Sequence, residues 1–177
     1  MIAKDIVLIL SFAILTGVAA NLKVEIGQVP ITMQTVIVLL AGALLGRKRG
    51  ALSQLLYLLG GLSGFPWFSR GGGITYILSP TFGYILGFML AAFLVGSLNE
   101  KIRNKNIGNV LLVMLLGNIV IYIPGLLWLA GFIGFSKILA VGLFPFVLGD
   151  LLKMVLAALI LLFSQRKSLK TNNVINF

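Results

Sequence analysis

Asp150 and Lys153 are the residues of this sequence best suited to chemistry, because they stand three apart inside the apolar run "FPFVLGDLLKMVLAAL". Ionisable groups among membrane-helix residues cost on the order of a few kcal/mol unless they are paired or wetted. At positions i and i+3 of a helix they share a face, so the carboxylate and ammonium can meet each other or grip a ligand placed between them. Pro145 and Gly149 precede them, which predicts a helix beginning near Asp150, whose carboxylate then also meets the free N–H groups of the first turn. Two readings stand side by side: a ligand-binding pair, and a structural salt bridge with a helix cap.

The second candidate is the long connection "GFPWFSRGGGITYILSPTFGY", which has the make-up of a lid. Gly71 and Gly72 permit unusual backbone angles and close approach to a ligand, while Arg70 can pair with an anionic group. Tyr76 and Tyr84 add apolar faces with polar tips, and Trp67 and Phe68 add apolar bulk. The bland alternative is an aromatic belt around a flexible loop at a membrane surface. Gln34, Gln54, Asn118 and Tyr122 interrupt other apolar runs and must each find a hydrogen-bond partner. Asn118 and Tyr122 lie one helical turn apart, which suits either helix-to-helix packing or the wall of a cavity.

Other chemistries are poorly supplied. The chain has no Cys and no His, which removes thiolate or imidazole metal ligation, Cys nucleophiles and His acid–base catalysis. Its four acids, Asp5, Glu25, Glu100 and Asp150, are far apart in sequence, so a paired-carboxylate site is not expected. The run Gly71-Gly72-Gly73 lacks the Gly-Lys-Ser/Thr that completes a phosphate loop, so the chain is not expected to bind ATP itself. No cofactor and no metal are expected, and an enzyme is disfavoured. The net charge of +10 is spread over short loops and a tail rather than one soluble face, which argues against nucleic acid and for a topological cause.

The elements that must position these residues are membrane helices. With 59% hydrophobic residues, 10% charged and a mean hydropathy of +1.11 over 177 residues, a water-soluble fold could not cover its core. Apolar runs predict an all-α integral membrane protein, one domain over 1–177, with helices near 6–21, 32–46, 51–64, 82–98, 109–130 and 141–163. The second and third runs are short for a span of roughly 20 residues. Lys4, the run Arg47-Lys48-Arg49, the loop with Lys101, Arg103 and Lys105, and the basic tail 164–177 fall on one side of a six-helix path. Both termini are therefore expected in the cytoplasm, with the loops around Ile26, Gly72 and Gly134 facing outward. Ala13, Gly17 and Ala20 form a small-residue stripe suited to close approach of another helix, inside the chain or on another subunit. Lys4, the apolar stretch after it and Ala19-Ala20 also fit a cleaved secretory signal.

The order of "VPITMQT", "LAGALLGRKRGALSQLLYLLGGLSGFPWF", "LSPTFGYILGFMLAAFLVG" and "FPFVLGDLLK" along the chain resembles the BioY family, the substrate-binding subunits of energy-coupling-factor biotin transporters. That resemblance implies a six-helix protein of the plasma membrane, with a biotin pocket near its outer face. It also implies two kinds of partner, a separate membrane coupling subunit and two ABC-type ATPases. Asp150 and Lys153 match the family's Asp-x-x-Lys binding motif, with Arg70 a second candidate for the carboxylate tail, and Ala13 and Gly17 are the implied docking residues. The family's usual Gly-Pro-Thr/Ser-Gly-Gly-Tyr segment stands here as Ser79-Pro80-Thr81-Phe82-Gly83-Tyr84. Ile85 follows where some members carry a basic residue, so a carboxylate contact from that position is missing. A subunit of the same type selecting another vitamin such as thiamine, and a scaffold protein without a ligand, are the competing readings.

Overall fold

A computed structural model describes residues 3–25, 27–102 and 104–175, with side chains described up to residue 165. The helices are α1 (Ala3–Asn21), α2 (Gln34–Leu62), α3 (Phe82–Lys101), α4 (Ile107–Ile133), a short α5 (Ile138–Gly142) and α6 (Val147–Ile175). Between α1 and α2 the chain makes a small antiparallel pair, β1 (Lys23–Val24) and β2 (Ile31–Thr32), with Lys23 opposite Thr32. An all-helical reading of the sequence misses this pair, because two-residue strands leave no periodicity to detect.

The two short apolar runs at 32–46 and 51–64 are the legs of one element. Gly46 has φ 80° and ψ 172° inside α2, and the chain folds back there. A Cβ on Gly50 would fall 2.8 Å from the Ala41 carbonyl oxygen, and Gln34 Nε2 donates to Tyr57 Oη at 2.7 Å. In a straight helix Gln34 and Tyr57 would lie about 35 Å apart. The reversal breaks the backbone ladder, and α3 repairs it. The Arg47 N–H donates to Glu100 Oε1 at 2.9 Å, and Asn99 Nδ2 donates to the Ala43 carbonyl at 2.7 Å. One N–H and one carbonyl freed at the break thus regain partners from α3.

Helices α2, α3, α4 and α6 close on one another, α2 and α4 each touching α6, and α1 packs against α2. Glycines set the close approaches. A Cβ on Gly42 would meet the Ala92 carbonyl oxygen at 2.4 Å, and one on Gly96 would meet the Arg47 nitrogen at 2.3 Å. Among the described residues, four segments are long and apolar enough to cross a membrane: Ala3–Asn21, Phe82–Lys101, Ile107–Ile133 and Phe135–Gln165. Their outer faces are apolar, as on α6, where Leu148, Leu152, Val155 and Leu159 are exposed at helical spacing. Water disfavours such a surface and lipid covers it.

The last apolar run, expected as one helix over 141–163, is broken at its start. Leu143 leaves helical angles, Pro145 opens a single tight turn at Phe144–Phe146, and α6 begins afresh at Val147. Proline lacks the N–H that a continuous helix needs. The same helix continues to Ile175, so the segment expected as a tail is helical in its backbone through that residue. The basic side chains of Arg166, Lys167 and Lys170, together with Ile26 and Arg103, lie outside the described residues.

Replacing Gly46 by Ala forces a non-glycine residue into a backbone region reserved for glycine, with its Cβ 2.7 Å from Glu100 Oε1. The expected loss of stability in detergent is about 1–3 kcal/mol. Unfolding titrations of Gly46→Ala against Gly131→Ala, where no atom lies within 4 Å of the new Cβ, measure the difference.

Candidate functional site

The four helices that close on one another surround a cavity that is open at its mouth. The fold brings Asp150 and Lys153 to its wall, on the first turns of α6, where they are 4% and 8% exposed. Lys153 Nζ donates to Asp150 Oδ1 at 3.0 Å. The other carboxylate oxygen accepts from Asn118 Nδ2 at 3.2 Å and from the Tyr122 hydroxyl. Asp150 is therefore held by three donors from two helices, and its direction into the cavity is fixed. Lys153 has three N–H donors and gives one to Asp150, which leaves donors for an acceptor inside the cavity.

Between this charged end and the mouth the walls are apolar, with Ile85 and Phe88 from α3, Ile121 from α4 and Phe146 ahead of α6. Two cavity-lining residues carry buried polar atoms without a partner among the described residues, Thr35 Oγ1 and Asn118 Oδ1. Buried polar atoms left so cost about 1–3 kcal/mol each, which marks them as places where a guest can bond. Near the mouth Ser69, Tyr76 and Thr81 line the cavity and bond to one another through their hydroxyls.

The long connection is an ordered cap, built by packing rather than by flexibility. Phe68 is 1% exposed and stacks near Tyr76, with ring centroids 4.5 Å apart. The Gly73 N–H donates to the Gly61 carbonyl at 2.7 Å, and Trp128 Nε1 donates to the Ser79 carbonyl at 3.1 Å. Tyr76 and Tyr84 line the cavity, Tyr84 also donating to the Gly142 carbonyl at 2.9 Å.

Arg70, Gly71 and Gly72, expected at the site, are not among the residues that line the cavity in this conformation. Arg70 turns outward to Glu25 at 2.7 Å and to the carbonyls of Gly27 and Gln28 at 3.0 and 3.3 Å. It clasps the cap to the β1–β2 loop. Arg70 first and Lys23 second hold the Glu25 carboxyl below the usual carboxylate range, so the clasp stands at neutral pH and is lost as pH falls through that lowered value. Gly72 is needed because a Cβ there would meet the Phe65 carbonyl oxygen at 2.2 Å.

Ala13 and Gly17 are buried, and a Cβ on Gly17 would fall 2.8 Å from Trp67 Cβ. In this conformation both residues make contacts inside the chain. Gln54 and Thr16 bond at 3.2 Å and tie α2 to α1. Reading the sequence alone passed over Ser69, Thr81 and Thr35 as site residues. Ser69 and Thr81 sit in the same connection as Tyr76, and Thr35 adjoins Gln34, but isolated hydroxyls in turns have many structural uses.

Removing one member of the buried pair strands the other. Lys153→Met is expected to lower the stability of the empty protein by about 3–5 kcal/mol. Adding Asp150→Asn, which keeps an acceptor for Asn118 and Tyr122, recovers most of that loss. Chemical denaturation of the two single variants and the double variant in detergent measures the coupling.

The BioY family model matches residues 1–170. A probable biotin transporter BioY from Pyrococcus horikoshii is 43% identical over 161 residues, covering 90% of this chain and 95% of that one. The biotin transporter BioY of Thermotoga maritima is 38% identical over 153 residues, covering 85% and 89%. A 2.1 Å crystal structure of the S-component for biotin from an ECF-type ABC transporter superposes with a TM-score of 0.81. That match is 26% identical and covers 92% of this chain and 91% of that chain. On the strength of the family match and of relatives similar over nearly their whole length, this chain belongs to the BioY family.

Proposed function

We propose that this chain is the biotin-binding subunit of a vitamin uptake transporter, a transport component rather than an enzyme. The observation that carries the reading is the buried Asp150–Lys153 pair, held at 3.0 Å and facing a cavity with apolar walls. Biotin joins an apolar bicycle to a polar ureido head and an anionic tail. Asp150 can accept from ureido N–H groups, and Lys153 can donate to the ureido oxygen. Ile85, Phe88, Ile121 and Phe146 suit the apolar body. Asn118 supplies a carbonyl oxygen that has no partner among the described residues.

In this reading the legs of α2 cross the membrane as a hairpin, which makes six crossings and leaves both termini in the cytoplasm. Support comes from the charges that gather at one end of the bundle. Asp5 pairs with Arg49 at 3.1 Å and Arg47 with Glu100 at 3.6 Å, joining the start of α1, the turn of α2 and the end of α3. Retention of Lys and Arg on the cytoplasmic side gives that end its orientation. The membrane is the plasma membrane, and the mouth of the cavity faces outward. Transport then requires a separate membrane coupling subunit and two ABC-type ATPases. Docking through Ala13 and Gly17 requires α1 to part from Trp67, which links docking to movement of the cap.

Equilibrium titration of the purified protein with biotin, with thiamine as the control, tests the assignment. Biotin is expected to bind and to raise the melting temperature, since a ligand of the native state alone must stabilise it. Asp150→Asn and Lys153→Ala are each expected to weaken binding at least tenfold, about 1.4 kcal/mol. Binding of thiamine in place of biotin, or unchanged dissociation constants in both variants, overturns the reading.

A further inference from the structure

Four hydroxyls run in a chain across the mouth end of the cavity. Ser69 Oγ lies 3.0 Å from Tyr76 Oη, Tyr76 Oη lies 3.0 Å from Thr81 Oγ1, and Thr81 Oγ1 lies 2.9 Å from Ser79 Oγ. Ser69, Tyr76 and Thr81 are 7%, 7% and 6% exposed, and all three line the cavity. Four hydroxyls bring four hydrogens, whereas three links consume three, so one O–H remains to be given outside the chain. Ser79 is not a lining residue and Ser69 is. An acceptor in the cavity therefore orients the whole chain toward Ser69, and each link strengthens the next.

The other end of the cavity is ill suited to an anion. Its cation, Lys153, is paired with Asp150, whose negative charge repels a second carboxylate. Among the described residues that line the cavity, Lys153 is the one Lys or Arg. The hydroxyl chain stands at the opening of α3, where Thr81 precedes the first helical residue, Phe82, and the helix start carries partial positive charge. Glycine contacts place Gly83 beside Pro124 and Gly87 beside Ile121. Continuing that antiparallel register sets Asn118 near residue 91, so Thr81 and Asn118 are separated by about 15 Å of helix axis. An elongated ligand with one polar group at each end fits such a spacing.

We infer that Ser69, Tyr76 and Thr81 form the subsite for the ligand's carboxylate tail, recognising it through a hydroxyl relay rather than through a paired Arg or Lys. Tyr76 is the specificity-determining member, because it joins Ser69 to the rest of the chain. The inference rests on the biotin reading and adds a direction to it, head at Asp150 and tail at the cap.

The test compares biotin with its methyl ester on the wild-type protein, Tyr76→Phe and Ser69→Ala. Tyr76→Phe keeps the ring against Phe68 and deletes the central link. Each variant is expected to weaken binding of the free acid at least fivefold and that of the ester less than twofold. Equal losses for acid and ester assign the hydroxyls to the architecture of the cap and overturn the inference. So does undiminished binding of the acid in both variants, while Asp150→Asn still weakens it. If the wild-type protein binds neither compound, the biotin reading itself fails and the subsite with it. Ester binding and the melting temperature of the empty protein report whether each variant is folded.

Discussion

Lipid offers no hydrogen-bond partner, and the arrangement of this molecule follows from that poverty. Each of the four acids has a cation beside it. Asp5 has Arg49, Glu25 has Lys23 and Arg70, Glu100 has Arg47, and Asp150 has Lys153. The first three pairs lie toward the ends of the bundle, where water screens them and where they steer the path of the chain more than they stabilise it. The fourth is buried. There the cost of taking both charges out of water is offset only by their contact and by the donors of Asn118 and Tyr122. A site so expensive to build has its orientation settled before any guest arrives, which limits the ordering that binding must impose.

Much of this was legible in the sequence, and for physical reasons. Asp150 and Lys153 stand out because charge inside a long apolar run has few innocent explanations. Asn118 and Tyr122 show up one turn apart for the same reason, and both prove to hold Asp150. The Arg70 contact was not legible because its partner, Glu25, is 45 residues away in the chain, and charge complementarity over that distance has no local signature. The contact at Gly17 was hidden in a similar way. A small residue announces that something approaches closely, but only the fold reveals that Trp67 is what approaches. The break before α6 could be suspected from Pro145, while the paired strands at 23–24 and 31–32 were too short to leave a pattern.

The cap illustrates how composition can be read too loosely. Three consecutive glycines suggest mobility, yet Gly72 is where the backbone must pass against Phe65, and Gly71 and Gly73 adopt φ angles of 111° and 98°. Their freedom is spent on a particular path. That path brings Tyr76 under Phe68 and hands the neighbouring hydroxyls to the cavity, so conformational permissiveness produces order here.

At the Gly46 reversal the backbones of α2 and α3 touch directly, with Asn99 and Glu100 sewn into the turn. Neither helix can slide along the other there without a carbonyl colliding with main chain. Around the opposite opening, the Arg70 clasp joins the cap to the β1–β2 loop through an exposed side chain. The Gly46 corner is therefore tied through main-chain groups, whereas the clasp at the far rim is an exposed ion pair that water screens.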